Sequence, residues 1–136
     1  MKIYLACPYS HPDKAVREHR FHIANKAAAK LIGRGHIVFS PISHSHPIAN
    51  EMDNHLSKIW LEQDRAFVEW ADCLAIVDID GWKESSGIAE EFKWMAAAGK
   101  PTYFLNYFLG EYTILKEIKE IEAYEENELR KREEPK

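Results

Sequence analysis

Cys73-Leu74-Ala75-Ile76-Val77 is the most continuous apolar run in the chain, and its reading decides the fold. Apolarity without alternation suits a strand covered on both faces, which is the habit of parallel sheets. Working outward toward the N-terminus, Ile3 to Cys7 is a similar run that ends at Pro8. His36-Ile37-Val38-Phe39-Ser40 is another, stopped by Pro41. Between these two, Lys14 to Leu31 has a helical pattern. Its small residues Ala24, Ala27, Ala28 and Ala29 permit close packing on a sheet, and Gly33 and Gly35 end it. Strand, helix and strand at that spacing form a βαβ unit, so the strands run parallel.

On either side of the central run the pattern continues. Ile42 to about Asp53, containing His44, His46 and Pro47, reads as a loop, and His55 to Ala71 as a helix. Asp78 to Glu84 is a further loop and Ser86 to Ala98 a helix, closed by Gly99-Lys100-Pro101. Thr102 to Leu105 is a fourth strand and, beyond Gly110, Tyr112 to about Tyr124 a last helix. The sequence therefore predicts an α/β fold: a doubly wound parallel β-sheet of four to five strands, flavodoxin/Rossmann-like, in three α/β/α layers. Residues 1–124 read as one domain and 125–136 as a charged C-terminal tail. In such sheets ligands bind beyond the carboxyl ends of the strands, at the topological switch point. That nominates the loops Cys7 to Asp13, Ile42 to Asp53 and Asp78 to Ser86.

Composition narrows the partners. The 136 residues are 46% hydrophobic and 29% charged, as in an ordinary globular domain, with a net charge of -4. No basic block stands out before the tail, which excludes a nucleic-acid polymer better than it excludes one nucleotide. No stretch approaches the roughly 20 apolar residues of a membrane span. The chain enters Lys2-Ile3-Tyr4-Leu5-Ala6 with no long apolar leader, so a cytoplasmic location is expected. Cys7 and Cys73 sit inside apolar runs and read as reduced core thiols.

Two acids stand out against this frame. In the helix after the central run, Ile88, Phe92, Met95 and Gly99 share one arc at roughly 100° per residue. Glu90 points away from that arc, whereas Glu91 falls on its edge. An acid near a helix start has an electrostatic explanation of its own, so two readings of Glu91 stand side by side. In the preceding helix Trp60, Phe67, Val68 and Ala71 form an apolar face with Asp64 in its middle. A carboxylate there needs a partner, for which Arg20 and Lys58 are candidates, or a cleft in which burial keeps it protonated as a general acid. Ahead of Glu91, Ser85-Ser86-Gly87 opens the helix with N–H groups and hydroxyls that can hold a phosphate or sugar hydroxyl, although such turns open many helices that bind nothing.

Taken together these pieces resemble the nucleoside 2-deoxyribosyltransferase superfamily, which includes the deoxynucleoside 5'-monophosphate N-glycosidases. The matching features are Ile3-Tyr4-Leu5-Ala6, Asp64 eight residues before Asp72, Ser85-Ser86-Gly87-Ile88-Ala89-Glu90-Glu91, and Gly99-Lys100-Pro101. The resemblance runs from residue 2 to about 106. The text Ala6-Cys7-Pro8-Tyr9-Ser10, with Gly81-Trp82 and Ser86-Gly87-Ile88, is closest to a functionally uncharacterised branch of that superfamily.

What the resemblance implies is cleavage of an N-glycosidic bond, with Glu91 as nucleophile, Asp64 as general acid and Tyr4 orienting the nucleophile. It places Ser85 on the 5'-phosphate, beside Ser86 and Gly87. It also implies a homodimer or higher homo-oligomer, because relatives complete each site with a neighbour's C-terminal segment. The departures are a longer loop holding Asp80 and Trp82, Ala89 where many relatives have Gly, and no clear match for the C-terminal Asn that the transferases give across the interface, for which Asn106 and Asn127 are candidates. Cys7, Pro8 and Tyr9 lie in the first nominated loop and are expected to contact substrate, as are Asp80 and Trp82; Tyr9 or Trp82 would stack on a base. His44-Ser45-His46 lacks the remaining ligands of a metal site, and His44 reads as a contact to base or phosphate. The expected ligand is a small nucleoside or nucleotide, and the chemistry needs no cofactor. The competing reading is a non-catalytic nucleotide-binding or sensing domain that uses the same cleft.

Overall fold

The computed structural model describes residues 1–52, 57–108 and 111–115. Its elements are β1 (Lys2–Ala6), α1 (Lys14–Gly33), β2 (Ile37–Phe39), α2 (Pro41–Ala49), α3 (Ser57–Trp70), β3 (Cys73–Asp78), α4 (Ser86–Ala97), β4 (Thr102–Phe108) and β5 (Glu111–Leu115). They build one sheet in the order β2-β1-β3-β4-β5. The first four strands are parallel, and β5 is antiparallel to β4. This is the doubly wound three-layer fold that the sequence predicts, with its switch point between β1 and β3.

Strand alternation divides the core into two layers. Ile3 and Leu5 of β1 point with Cys73, Ala75 and Val77 of β3 toward α1, where they meet Ile23, Ala24, Ala27 and Leu31. Tyr4 and Ala6 point with Leu74 and Ile76 to the opposite face. There Val68 and Ala71, at the end of α3, and Ile88, Phe92 and Met95 of α4 cover them. Two contacts fix the end of α3. Asp72 and Lys2 exchange hydrogen bonds, Asp72 N–H to the Lys2 carbonyl at 2.7 Å and Lys2 N–H to Asp72 Oδ2 at 2.8 Å. Lys100 Nζ donates to the terminal carbonyls of Val68 and Glu69 at 3.0 and 2.7 Å.

Two expectations are corrected. The segment read as a loop from Ile42 carries helix α2. Pro41 does end the strand, but it also occupies the first helical position, where a missing N–H removes no bond. Ser40 caps the helix, its Oγ accepting from Ser43 N–H at 3.5 Å and from the Ser43 hydroxyl at 2.8 Å. Pro47 falls inside the last turn, and the helix continues past it to Ala49. The second correction concerns the helix expected from Tyr112: residues 111–115 form β5, and 116–124 lie outside the described residues, as does the tail 125–136. Tyr112, Thr113 and Ile114 are aromatic or β-branched and favour a strand, and β4 offers them an edge. Among the described residues, no helix is long and apolar enough to cross a membrane.

Candidate active site

A cleft of about 1120 Å³ opens at the carboxyl ends of β1 and β3. Its walls are the loop after β1, α2, the first two turns of α3, and the entry to α4. Asp64 of α3 and Glu91 of α4 both line it. Beneath them Tyr4, fully buried, projects from the middle of β1 on the same side of the sheet.

The three side chains form one electrostatic unit. Glu91 is 9% exposed although it is an acid, because it belongs to the α4 stripe that faces the sheet, between Ile88 and Met95. Burial pushes its carboxyl up to about 8; the Tyr4 hydroxyl offsets part of that rise and the Asp64 charge adds to it. Burial likewise pushes Asp64 up to about 6. Tyr4 is held far above its usual value by burial first, then by the charges of Glu91 and Asp64, so it keeps its proton. The Tyr4 hydroxyl lies near enough to favour an ionised Glu91, but their contact falls short of hydrogen-bond geometry. Tyr4 Oη, Asp64 Oδ1 and Glu91 Oε2 are buried polar atoms without hydrogen-bond partners. Such atoms are rare and costly in native cores, so three in one cluster mark a site. Of the structural partners considered for Asp64, Arg20 is engaged elsewhere, donating to the carbonyls of Ser10 and Asp80 at 3.1 and 3.3 Å. The Lys58 side chain lies outside the description.

Ser85, Ser86 and Gly87 also line the cleft. Ser85 is the N-cap of α4, its Oγ accepting from Ile88 N–H at 3.2 Å, which leaves the hydroxyl proton to donate outward. The N–H groups of Ser86 and Gly87 precede the first intrahelical bond of α4 and make this rim an acceptor-binding edge. Cys7, Pro8 and Tyr9 form the facing wall. Cys7 is a free thiol that burial pushes up to about 12, against a lowering by Arg20, so it contributes surface and not a nucleophile.

Three expected contacts are not among the lining residues. His44 is exposed, its ring tilted against Phe39 and Phe67. Asp80 is exposed and uses its backbone carbonyl to accept from Arg20. Trp82 packs edge-on against Phe104, ring centroids 4.7 Å apart, beside the core of the α3–α4 layer. In their place the cleft holds His46, Arg17, Arg20 and Trp60, which the sequence reading did not assign to it. Arg17 and Arg20, three apart at the start of α1, share a helix face, and that spacing was the available signal. His46 had no such signal while α2 was read as a loop. Among the described residues, no group of three His, Cys, Asp or Glu is placed to hold a metal ion.

The strand order 2-1-3-4-5, with the site at its switch point, defines a flavodoxin-like α/β protein. The chain belongs to the family described as Domain of unknown function (DUF1937), which matches residues 1–106. Among solved structures it is similar to the 2-deoxyribosyltransferase of Bacillus psychrosaccharolyticus, a biocatalyst for nucleoside synthesis. The TM-score is 0.56 at 25% identity, over 78% of this chain and 72% of that one. It shares its fold with a 2-desoxiribosyltransferase from Leishmania mexicana, with a TM-score of 0.51 at 20% identity, covering 79% of this chain and 65% of that one. No curated protein matches.

Proposed function

We propose that the protein cleaves the N-glycosidic bond of a nucleoside or nucleoside 5'-monophosphate, with Glu91 as nucleophile and Asp64 as general acid. The observation that carries this reading is the pair of carboxyls from α3 and α4, Asp64 half-buried and Glu91 buried, each with an unpartnered buried oxygen and both lining one cleft over the Tyr4 hydroxyl. The likeness to a nucleoside-making transferase supports the substrate class.

Between the two raised values, about 6 and about 8, the pair carries one proton. That is the state a retaining glycosyl transfer needs. The ionised Glu91 attacks C1' of the sugar while the C1'–N bond breaks and Asp64 delivers its proton to the departing base. A glycosyl ester on Glu91 results, and Asp64, now ionised, takes a proton from the water or second base that resolves it. Burial rests the shared proton mainly on Glu91, so the productive arrangement, an ionised Glu91 beside a protonated Asp64, is the minor form of the one-proton state, and the Tyr4 hydroxyl favours it by lowering Glu91. Ser85 and the N–H groups of Ser86 and Gly87 would receive the sugar hydroxyl or 5'-phosphate. The chemistry uses no cofactor. A homodimer or larger assembly belongs to the same proposal.

The test is release of free base from a panel of deoxynucleosides and their 5'-monophosphates. Wild type is expected to release base from at least one substrate, with Glu91→Gln and Asp64→Asn each slower by about 10²-fold or more. Equal rates in wild type and Glu91→Gln overturn the assignment. Tight binding by wild type without any product favours a sensing domain instead.

A further inference from the structure

A second polar cluster stands on the cleft wall, and the glycosidic chemistry does not use it. Tyr9, in the loop after β1, has its hydroxyl 2.5 Å from His46 Nδ1 of α2. His46 Nε2 lies 3.1 Å from Glu18 Oε1 of α1. The Phe21 ring, one turn along α1, stacks on the imidazole with centroids 4.2 Å apart and planes at 25°. The Tyr9 ring meets it edge-on at 5.6 Å. The His46 side chain is 10% exposed, held between the loop after β1 and α1, which restrict its rotation. Tyr9 and His46 both line the cleft.

The direction of each bond follows from the donor inventory. A carboxylate only accepts, so the proton opposite Glu18 sits on His46 Nε2. A neutral imidazole then offers Nδ1 as an acceptor, and the hydroxyl beside it has to donate. Burial raises the Tyr9 phenol, which therefore holds its proton to give. Having one proton and spending it on His46, the Tyr9 oxygen presents only lone pairs to the cleft.

We propose that Glu18 and His46 fix Tyr9 as an acceptor-only subsite, which takes an N–H or O–H donor of the bound nucleoside and disfavours its carbonyl and phosphate oxygens. The donor is a base amino group or a sugar hydroxyl. The ligand class rests on the reading of the cleft given above, whereas the direction of the Glu18–His46–Tyr9 chain does not. Glu18 and His46 are positioning residues, and Tyr9 is the contact.

The chain is tested first without ligand. Long-range ¹H–¹⁵N spectra of ¹⁵N-histidine protein, with His46 assigned through His46→Gln, are expected to show its Nε2–H tautomer near neutral pH. An Nδ1–H tautomer or an imidazolium overturns the proposal. The subsite is then tested by calorimetry with adenosine and cytidine, and with analogues lacking in turn the amino group or the 2'-, 3'- or 5'-hydroxyl. One deletion is expected to weaken binding to wild type by about 3- to 10-fold, the scale of one neutral hydrogen bond, and to have no effect in Tyr9→Phe. An amino deletion identifies the base as the donor, a hydroxyl deletion the sugar. Glu18→Leu is expected to abolish the discrimination and Glu18→Gln, which keeps an acceptor oxygen, to retain it. In turnover, Tyr9→Phe is expected to change KM and leave kcat. The subsite is overturned if wild type and Tyr9→Phe show the same ratios for every pair, or if neither nucleoside binds. Binding with the expected discrimination but no base release from any deoxynucleoside or 5'-monophosphate of the panel overturns the cleavage proposed above and leaves this subsite standing.

Discussion

Glu91 concentrates the energetic cost of the site in one side chain. Its carboxyl has an ordinary value of 4.5 when exposed and about 8 when folded. A raised folded pKa means that the native state holds more protons than the unfolded chain across that interval, so stability falls as pH rises through it. The penalty is absent below about 4.5 and complete above about 8. Glu91→Gln, neutral at every pH, should therefore match wild type at about pH 4 and exceed it at about pH 9 by a few kcal/mol. Urea unfolding along that range measures it, and parallel pH profiles for the two proteins would refute the burial argument. The proposed chemistry predicts a companion profile in kcat/KM for base release. Its acid limb should lie near about 6, below which both carboxyls are protonated and the nucleophile is lost. Its alkaline limb should lie near about 8, above which the pair has lost its last proton and none remains for Asp64 to give. A flat profile between those limbs and beyond would sink the shared-proton account. Helical spacing made Asp64 and Glu91 legible as acids on or beside apolar faces, whereas Tyr4 was legible only through the family resemblance. Their ionisation was not legible, because desolvation depends on what three separate elements enclose.

At the scale of elements, the placement of Asp64 depends on how the far end of α3 is held. Lys100, in the short turn after α4, donates to two carbonyls that the last turn of α3 cannot satisfy itself. Its charge also suits the negative end of the helix. Lys100→Met keeps the stem and removes both effects. We expect a loss of about 1 kcal/mol, read as a melting temperature lower by several degrees. We also expect slower base release, since a shifted α3 carries Asp64 with it; a variant unchanged in both would deny Lys100 this role. Gly99-Lys100-Pro101 was visible in the sequence as a helix stop, but its service to a different helix was not, because that contact spans 31 residues or more. The elements that sequence reasoning misjudged, α2 and β5, are short and depend on context. Pro41 can end a strand or begin a helix, and the paired edge of β4 decides what Glu111–Leu115 becomes.

For the whole molecule, the decisive arrangement is the meeting of the β1 and β3 crossovers at the switch point. Arg20 stitches them together from α1, with one guanidinium on the Ser10 carbonyl and the Asp80 carbonyl. Gly81, at a φ of 96°, leaves room for it: a Cβ there would come within 2.5 Å of Arg20 Nη2. Arg20→Met should leave the core intact while amide exchange quickens in residues 8–13 and 79–85, read by mass spectrometry. Unchanged exchange in both loops would show that they hold without it. The fold class was readable in full from four apolar runs and their spacing, whereas this cross-loop stitch was not, because its acceptors are backbone carbonyls that sequence does not distinguish. Both native thiols, meanwhile, are buried and pushed up, Cys7 to about 12 and Cys73 to about 11. Burial and raised pKa should leave them slow toward maleimides at neutral pH, so that a cysteine introduced at the exposed rim position Ser10 takes the fluorophore. Cleft occupancy could then be followed optically, one label per chain, in the otherwise native protein.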